Sequence, residues 1–220
     1  MTATVSQCVR RIACNGAHTH SGGLKMNAAE LEELVQRVHE IFNEYSLSKG
    51  LTPGSLPYPP ADPAALAAFD ETHADWPPSY KAFLSLHNGW ENFALVFTLI
   101  GASGAHTEKA LTRIELTMRT FNEKWAKRFG SPTPEKIAEF EAGADLDKKK
   151  ELDAGIYLPH MMVFGTDFAG SLYYFYNDGK PRKERPVVER DVYGEIICVY
   201  DDFQAFLQGT LKFHLRLLKR

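Results

Sequence analysis

The hydrophobic period of this chain changes twice along its length, and that change limits the available folds more than any other feature. Leu31, Leu34, Val35, Val38, Ile41, Phe42 and Tyr45 recur at steps of three and four, the spacing of one helix face. Asn27 and Glu30 supply an N-cap and an acid at the third helical position. Residues 50–60, with four prolines and two glycines, cannot continue that helix. Asp62-Pro63 then offers a cap followed by proline at the first helical position, with Leu66 and Phe69 turned inward. Trp76-Pro77-Pro78-Ser79 repeats the device. The helix it starts puts Tyr80, Phe83, Leu84 and His87 on one face, and Asn88-Gly89 stops it with a glycine suited to a left-handed cap.

Beyond Trp90 the pattern is continuous, and residues 93–100 predict one buried strand closed by Gly101 and Gly104. A long helix follows, capped by Thr107, with a stripe of Leu111, Ile114, Met118, Phe121, Trp125 and Phe129 running to Gly130. Residues 131–153 predict a short helix around 137–140 and then a solvated charged loop, with Asp145 and Asp147 in it. Strand patterns return at 161–164, 172–176, 187–190 and 195–200. Asn177-Asp178-Gly179 and Asp191-Val192-Tyr193-Gly194 separate the later ones, as in antiparallel neighbours. A last helix starts at Asp201 or Asp202 and turns Phe203, Phe206, Leu207, Leu211 and Leu215 inward. Helices, a meander and a closing helix predict an α+β fold: one largely antiparallel or mixed sheet wrapped by N-terminal, inserted and C-terminal helices.

Length and composition fix what such a fold can bury. At 220 residues, 44% hydrophobic and 12% aromatic, the chain has material for one cored domain. Residues 27–220 are expected to form it, with a helical insertion at about 103–153, and residues 1–26 to form a flexible tail ending in a polar, glycine-containing stretch. Met26, directly before the first helix signal, is a candidate start of translation. No apolar run is long enough for a membrane span, and residues 9–13 never open into the apolar core of a secretory signal, so a cytoplasmic protein without membrane contact is expected. Three cysteines in dissimilar contexts, Cys8, Cys14 and Cys198, predict reduced thiols rather than a disulfide framework.

The formal charge is −3. Residues 1–25 hold Arg10, Arg11 and Lys25 and no acid, which leaves the remainder more acidic than the whole. That balance argues against nucleic acid as a direct partner and allows a basic protein one.

Three fragments carry a family resemblance. Leu66 and Phe69, then Trp76-Pro77-x-Ser79-Tyr80-x2-Phe83-Leu84-x3-Asn88-Gly89-Trp90, are similar to the opening motif of SUKH (SMI1/KNR4-like) domains, with Trp76 in place of the usual leucine and Trp90 in place of a second glycine. Residues 163–171, with Phe164-Gly165-Thr166-Asp167 and Gly170, resemble that family's second motif, and Asp201-Asp202-Phe203-Gln204-Ala205-Phe206-Leu207 its closing helix. The resemblance covers roughly residues 60–210, and the insertion is longer than in a minimal domain.

The resemblance implies a single domain with a non-enzymatic, cofactor-free role. Its bacterial form would be an immunity protein that binds and neutralises a cognate toxin domain of nuclease or deaminase class; the alternative is an intracellular regulatory scaffold. The motif residues Tyr80, Phe83, Asn88, Gly89, Phe164, Gly165, Asp167 and Gly170 are expected to build the frame through packing and tight turns. Partner contact is then expected from exposed aromatics and acids at Trp90, Glu91 and Asn92, and from the insertion.

Sharper chemistry finds weaker support. His18-x-His20 with Cys8 and Cys14 offers metal ligands but no paired spacing, so no metal is expected. Cys198 lies in an apolar strand that would keep a thiol inert, which leaves a nucleophile paired with His160 disfavoured. His87 and His214 sit on helix faces, as core histidines do. Asp201 and Asp202 read as helix caps. Tyr173, Tyr174, Phe175 and Tyr176 offer rings of the kind that stack bases on a sheet, yet no basic strip accompanies them, and packing is the expected role.

Overall fold

The computed structural model describes residues 26–94, 96–130, 133–135, 138, 161–177, 183–192 and 196–219. Among them are five helices: α1 Ala28–Ser48, α2 Pro63–Thr72, α3 Pro78–Leu86, α4 Ala105–Phe129 and α5 Phe203–Leu218. Six strands complete the fold: β1 Trp90–Phe93, β2 Phe97–Leu99, β3 Met161–Thr166, β4 Leu172–Tyr176, β5 Val187–Arg190 and β6 Ile196–Tyr200. The strands lie in sequence order in one sheet, and every neighbouring pair is antiparallel.

Local chemistry explains the helix starts. The Asn27 side chain accepts from the Glu30 amide at 3.0 Å while Glu30 Oε2 accepts from the Asn27 amide at 2.8 Å, so two donors with no helical partner are satisfied reciprocally. Asp62 Oδ1 accepts from the Ala64 amide at 2.8 Å behind Pro63. Asp202, not Asp201, caps α5 by accepting from the Ala205 amide at 2.7 Å. For α3 the N-cap position is Pro77, which has no polar side chain. Glu184, between β4 and β5, takes over that role: it accepts from the Ser79 hydroxyl at 2.5 Å and from the Ser79 amide at 3.2 Å.

The two faces of the sheet are buried differently. Tyr173 and Phe175 point to the side of α3 and α5, where Tyr80, Phe83, Phe164, Phe203 and Phe206 form an aromatic layer. Phe164 stacks on Phe175 with centroids 4.4 Å apart, and Tyr80 meets Phe203 edge-on at 5.0 Å. Offset and edge-on pairs of this kind add to what apolar burial contributes. The Tyr80 hydroxyl, fully buried, donates to the Ile100 carbonyl at 2.7 Å. The opposite face is covered by α4 through Ala110, Ile114 and Phe121, and Arg190 lays its guanidinium 5.0 Å from the Phe121 ring centre. α1 packs on α5 through Leu31, Leu34, Val35, Val38 and Phe42.

Several expectations need correction. Residues 93–100 are not one strand: the chain leaves β1 through positive φ at Asn92 and Ala94 and returns as β2, forming a hairpin. α3 ends at Leu86, and Gly89 takes its positive φ two residues beyond the cap at His87. Thr107 lies inside α4; its hydroxyl accepts from the Gly101 amide at 2.8 Å and donates to the Ser103 carbonyl. Leu111 faces outward, because α4 touches the sheet along a narrower stripe than the sequence period implies. Cys198 is buried but disulfide-bonded, contrary to the expected free thiol. The tail, the charged loop at 145–151, His160 and the helix around 137–140 also fall largely or wholly outside them.

Candidate protein-binding surface

The second motif ends β3 in a tight turn. Asp167 Oδ1 accepts three backbone amides, from Ala169 at 2.9 Å, Gly170 at 2.7 Å and Ser171 at 2.8 Å. The Asp167 amide donates to the Ser171 carbonyl, and the Thr166 hydroxyl donates to the same oxygen. Gly170 takes φ +99°, a conformation strained for any residue with a Cβ. With the amides of Ala169, Gly170 and Ser171 tied to Asp167, Phe168 points outward and is 65% exposed, the most exposed large apolar side chain among the described residues. Arg113 of α4 lies with its guanidinium 4.2 Å from the Phe168 ring centre, a cation–π contact that holds the ring in place.

An exposed aromatic on a rigid turn, backed by arginine, has the attributes of a protein-binding anchor. Aromatic and arginine side chains dominate interface energetics, and a preorganised ring loses little entropy when a partner covers it. Exposed apolar area that the fold does not bury is the informative kind.

The other motif residues face the core or lock loops. Tyr80, Phe83 and Phe164 are fully buried, and Gly165 stands opposite Tyr173 in the β3–β4 ladder. Asn88 Oδ1 accepts from the Ala102 amide at 2.8 Å, Asn88 Nδ2 donates to the Ser103 carbonyl, and His106 Nε2 donates to the Asn88 carbonyl at 2.7 Å. Gly89 is needed for space as well as for φ, since a Cβ there would stand 2.7 Å from the Gly101 nitrogen.

Of the residues expected to meet a partner, Trp90 is covered. Trp90 is 1% exposed; residues 51–61 run across it, and its Nε1 donates to the Ser55 carbonyl at 2.8 Å. The same strap pairs with the flank of β1 through Tyr58 amide to Gly89 carbonyl and Asn88 amide to Pro59 carbonyl. Glu91 accepts from the Tyr58 hydroxyl at 2.6 Å; that bond, with burial and the Glu91 charge, pushes the Tyr58 hydroxyl up to about 12. Tyr58 in turn stacks on His106. Only Asn92 of the three expected contact residues is exposed.

Nothing in the described interior converges on catalysis. Cys198 is bonded to another sulfur and is no nucleophile in that state. His214 is buried, with Nδ1 at 2.9 Å from the Thr210 carbonyl and its ring edge-on to Phe42. His87 lies 2.9 Å from Glu32. Tyr173 to Tyr176 are buried, so no ring of β4 is presented for stacking. Among the described residues no group of three or more His, Cys, Asp or Glu side chains is placed to hold a metal ion, and no helix is long and apolar enough to cross a membrane.

Phe168 is the exposed aromatic that sequence reasoning missed, because the motif around it was assigned wholly to the frame. The signal was present: an aromatic directly after a turn-forming aspartate belongs to no strand or helix period and cannot follow its neighbours inward.

A family model described as SMI1 / KNR4 family (SUKH-1) matches residues 60–209. A comparison with curated proteins finds no match.

Proposed function

The chain belongs to the SMI1/KNR4 family (SUKH-1), and from that premise we propose that it is a non-enzymatic protein-binding module: a bacterial immunity protein that neutralises a cognate toxin domain. The observation that carries this reading is Phe168, held outside the core by a turn in which one carboxylate oxygen fixes three amides. A turn that rigid around an exposed ring spends no binding energy on ordering itself. The anchor lies in the β3–β4 turn and is backed by Arg113 of α4, a helix in the stretch read as an insertion, so the shared motif and the chain's own added segment meet there.

The test is a search of the neighbouring genes for a toxin domain, followed by co-expression of that domain with this chain. Wild-type protein is expected to restore growth, and Phe168→Asp to lose at least about tenfold of the affinity, as removal of an interface anchor does. Failure of the wild-type chain to protect cells that express the toxin overturns the immunity reading. Binding to a host protein without protection would instead favour the regulatory scaffold.

A further inference from the structure

We infer that the flank of α4 beside Phe168 is a docking strip for an acidic protein surface, an inference that rests on the protein-binding reading and names the partner's chemistry. Lys109, Arg113, Leu116, Thr120, Lys124 and Lys127 follow one another at steps of four and three, so they fall on one line along the helix. The line is about 27 Å long at 1.5 Å per residue. It carries four cations and one acid, Glu123, which stands at the same steps from Thr120 and Lys127. Glu108 and Glu115 lie round the helix from it. Lys109, Leu116, Lys124 and Lys127 are exposed, while Arg113 and Thr120 are half-buried.

Three features make this more than an ordinary solvated face. The protein as a whole is negative, at −3, so the strip is a local reversal of sign. Within the described residues, no carboxylate is in ion-pair reach of Lys109, Arg113, Lys124 or Lys127. Lys109 and Arg113 are like charges one turn apart, an arrangement that weakens a helix unless an outside anion meets it. Leu116, 53% exposed, and Phe168 set apolar surface beside these charges, and Arg113 joins the two as the cation over the ring. A partner that fits presents acids along the line and an apolar pocket for Phe168, charge complementarity selecting it and the ring anchoring it.

A polynucleotide fits less well. The row is single, apolar groups flank it, and the negative body around it repels a long polyanion. The inference also restricts how a toxin would be blocked. A nuclease holds its substrate in a basic cleft, which this strip would repel, so contact falls on an acidic surface outside that cleft.

The full chain is titrated, by fluorescence anisotropy, into a labelled 16-residue peptide of alternating glutamate pairs around a central Trp-Leu. A lysine counterpart and a 12-nucleotide single-stranded DNA serve as the other probes. The acidic peptide is expected to bind at low salt, and the doubly reversed Lys109→Glu/Lys124→Glu chain to bind it at least about tenfold more weakly. Phe168→Ala is expected to weaken it as well. Should the reversed chain lose its fold by circular dichroism, Lys109→Gln/Lys124→Gln gives the same reading without new charge. Equal affinity in the altered and original chains, or tighter binding of the DNA than of the peptide, overturns the strip. The two ideas fail separately: toxin protection that survives the reversal removes the strip alone, and peptide binding without protection removes the immunity reading alone.

Discussion

One oxygen of Asp167 gathers three backbone amides, and the ring that follows it in sequence is left in solvent. These neighbours should therefore separate in a mutational test. Asp167→Ala leaves three amides to find other acceptors and is expected to cost about 2–4 kcal/mol in urea unfolding. Asp167→Asn keeps an acceptor oxygen and should cost less than half of that. Phe168→Ala gives up only exposed area and one surface cation–π contact, so its stability cost should stay below about 1 kcal/mol while partner affinity falls. At this scale the motif glycines and buried rings were legible because turn and packing chemistry is local. Trp90 was not. Whether an aromatic after a glycine turn is exposed depends on the strap at 51–61, more than thirty residues upstream, and no local pattern announces that contact.

Elements were legible wherever a cap or a period marked them. α1, α2 and α5 begin at the residues whose side chains accept the first free amides, and β4 and β5 occupy the residues their patterns gave. The hairpin of β1 and β2 was hidden because an unbroken apolar run carries it, with neither glycine nor proline at the turn; non-glycine residues take the positive φ there. The start of α3 was hidden differently, since its cap comes from Glu184, 105 residues after Ser79. Burial raises the Glu184 carboxyl above its usual value, although the two Ser79 hydrogen bonds and Lys183 pull the other way. Glu184→Ala is expected to cost about 1–2 kcal/mol in thermal or urea unfolding, the worth of a helix cap. The cost should be matched within error by Ser79→Ala/Glu184→Ala, because both changes remove one shared contact.

For the molecule as a whole, one buried and one half-buried histidine work against stability in acid. Burial lowers His39 below 6.5 against the opposing pull of Glu40; His73 is lowered by burial and by Lys81, against its bond to the Phe69 carbonyl. The unfolded chain therefore binds these protons at higher pH than the folded one. The stability tied to neutral imidazoles is complete above 6.5 and drains away as pH falls below it. Melting temperature should drop between pH 7.5 and 5.5, and His39→Gln/His73→Gln should drop less over the same interval; parallel curves would contradict the assignment. The strap across β1 has a consequence for where this protein can be shortened. Its segment precedes residue 60, where the match to the family begins. A chain cut there would keep all six strands but bare a hydrogen-bonding margin together with the Trp90 indole, an invitation to stack copies end on end. Residues 51–59 cover that margin on the β1 side, so a unit that stays dispersed is expected to begin before residue 60.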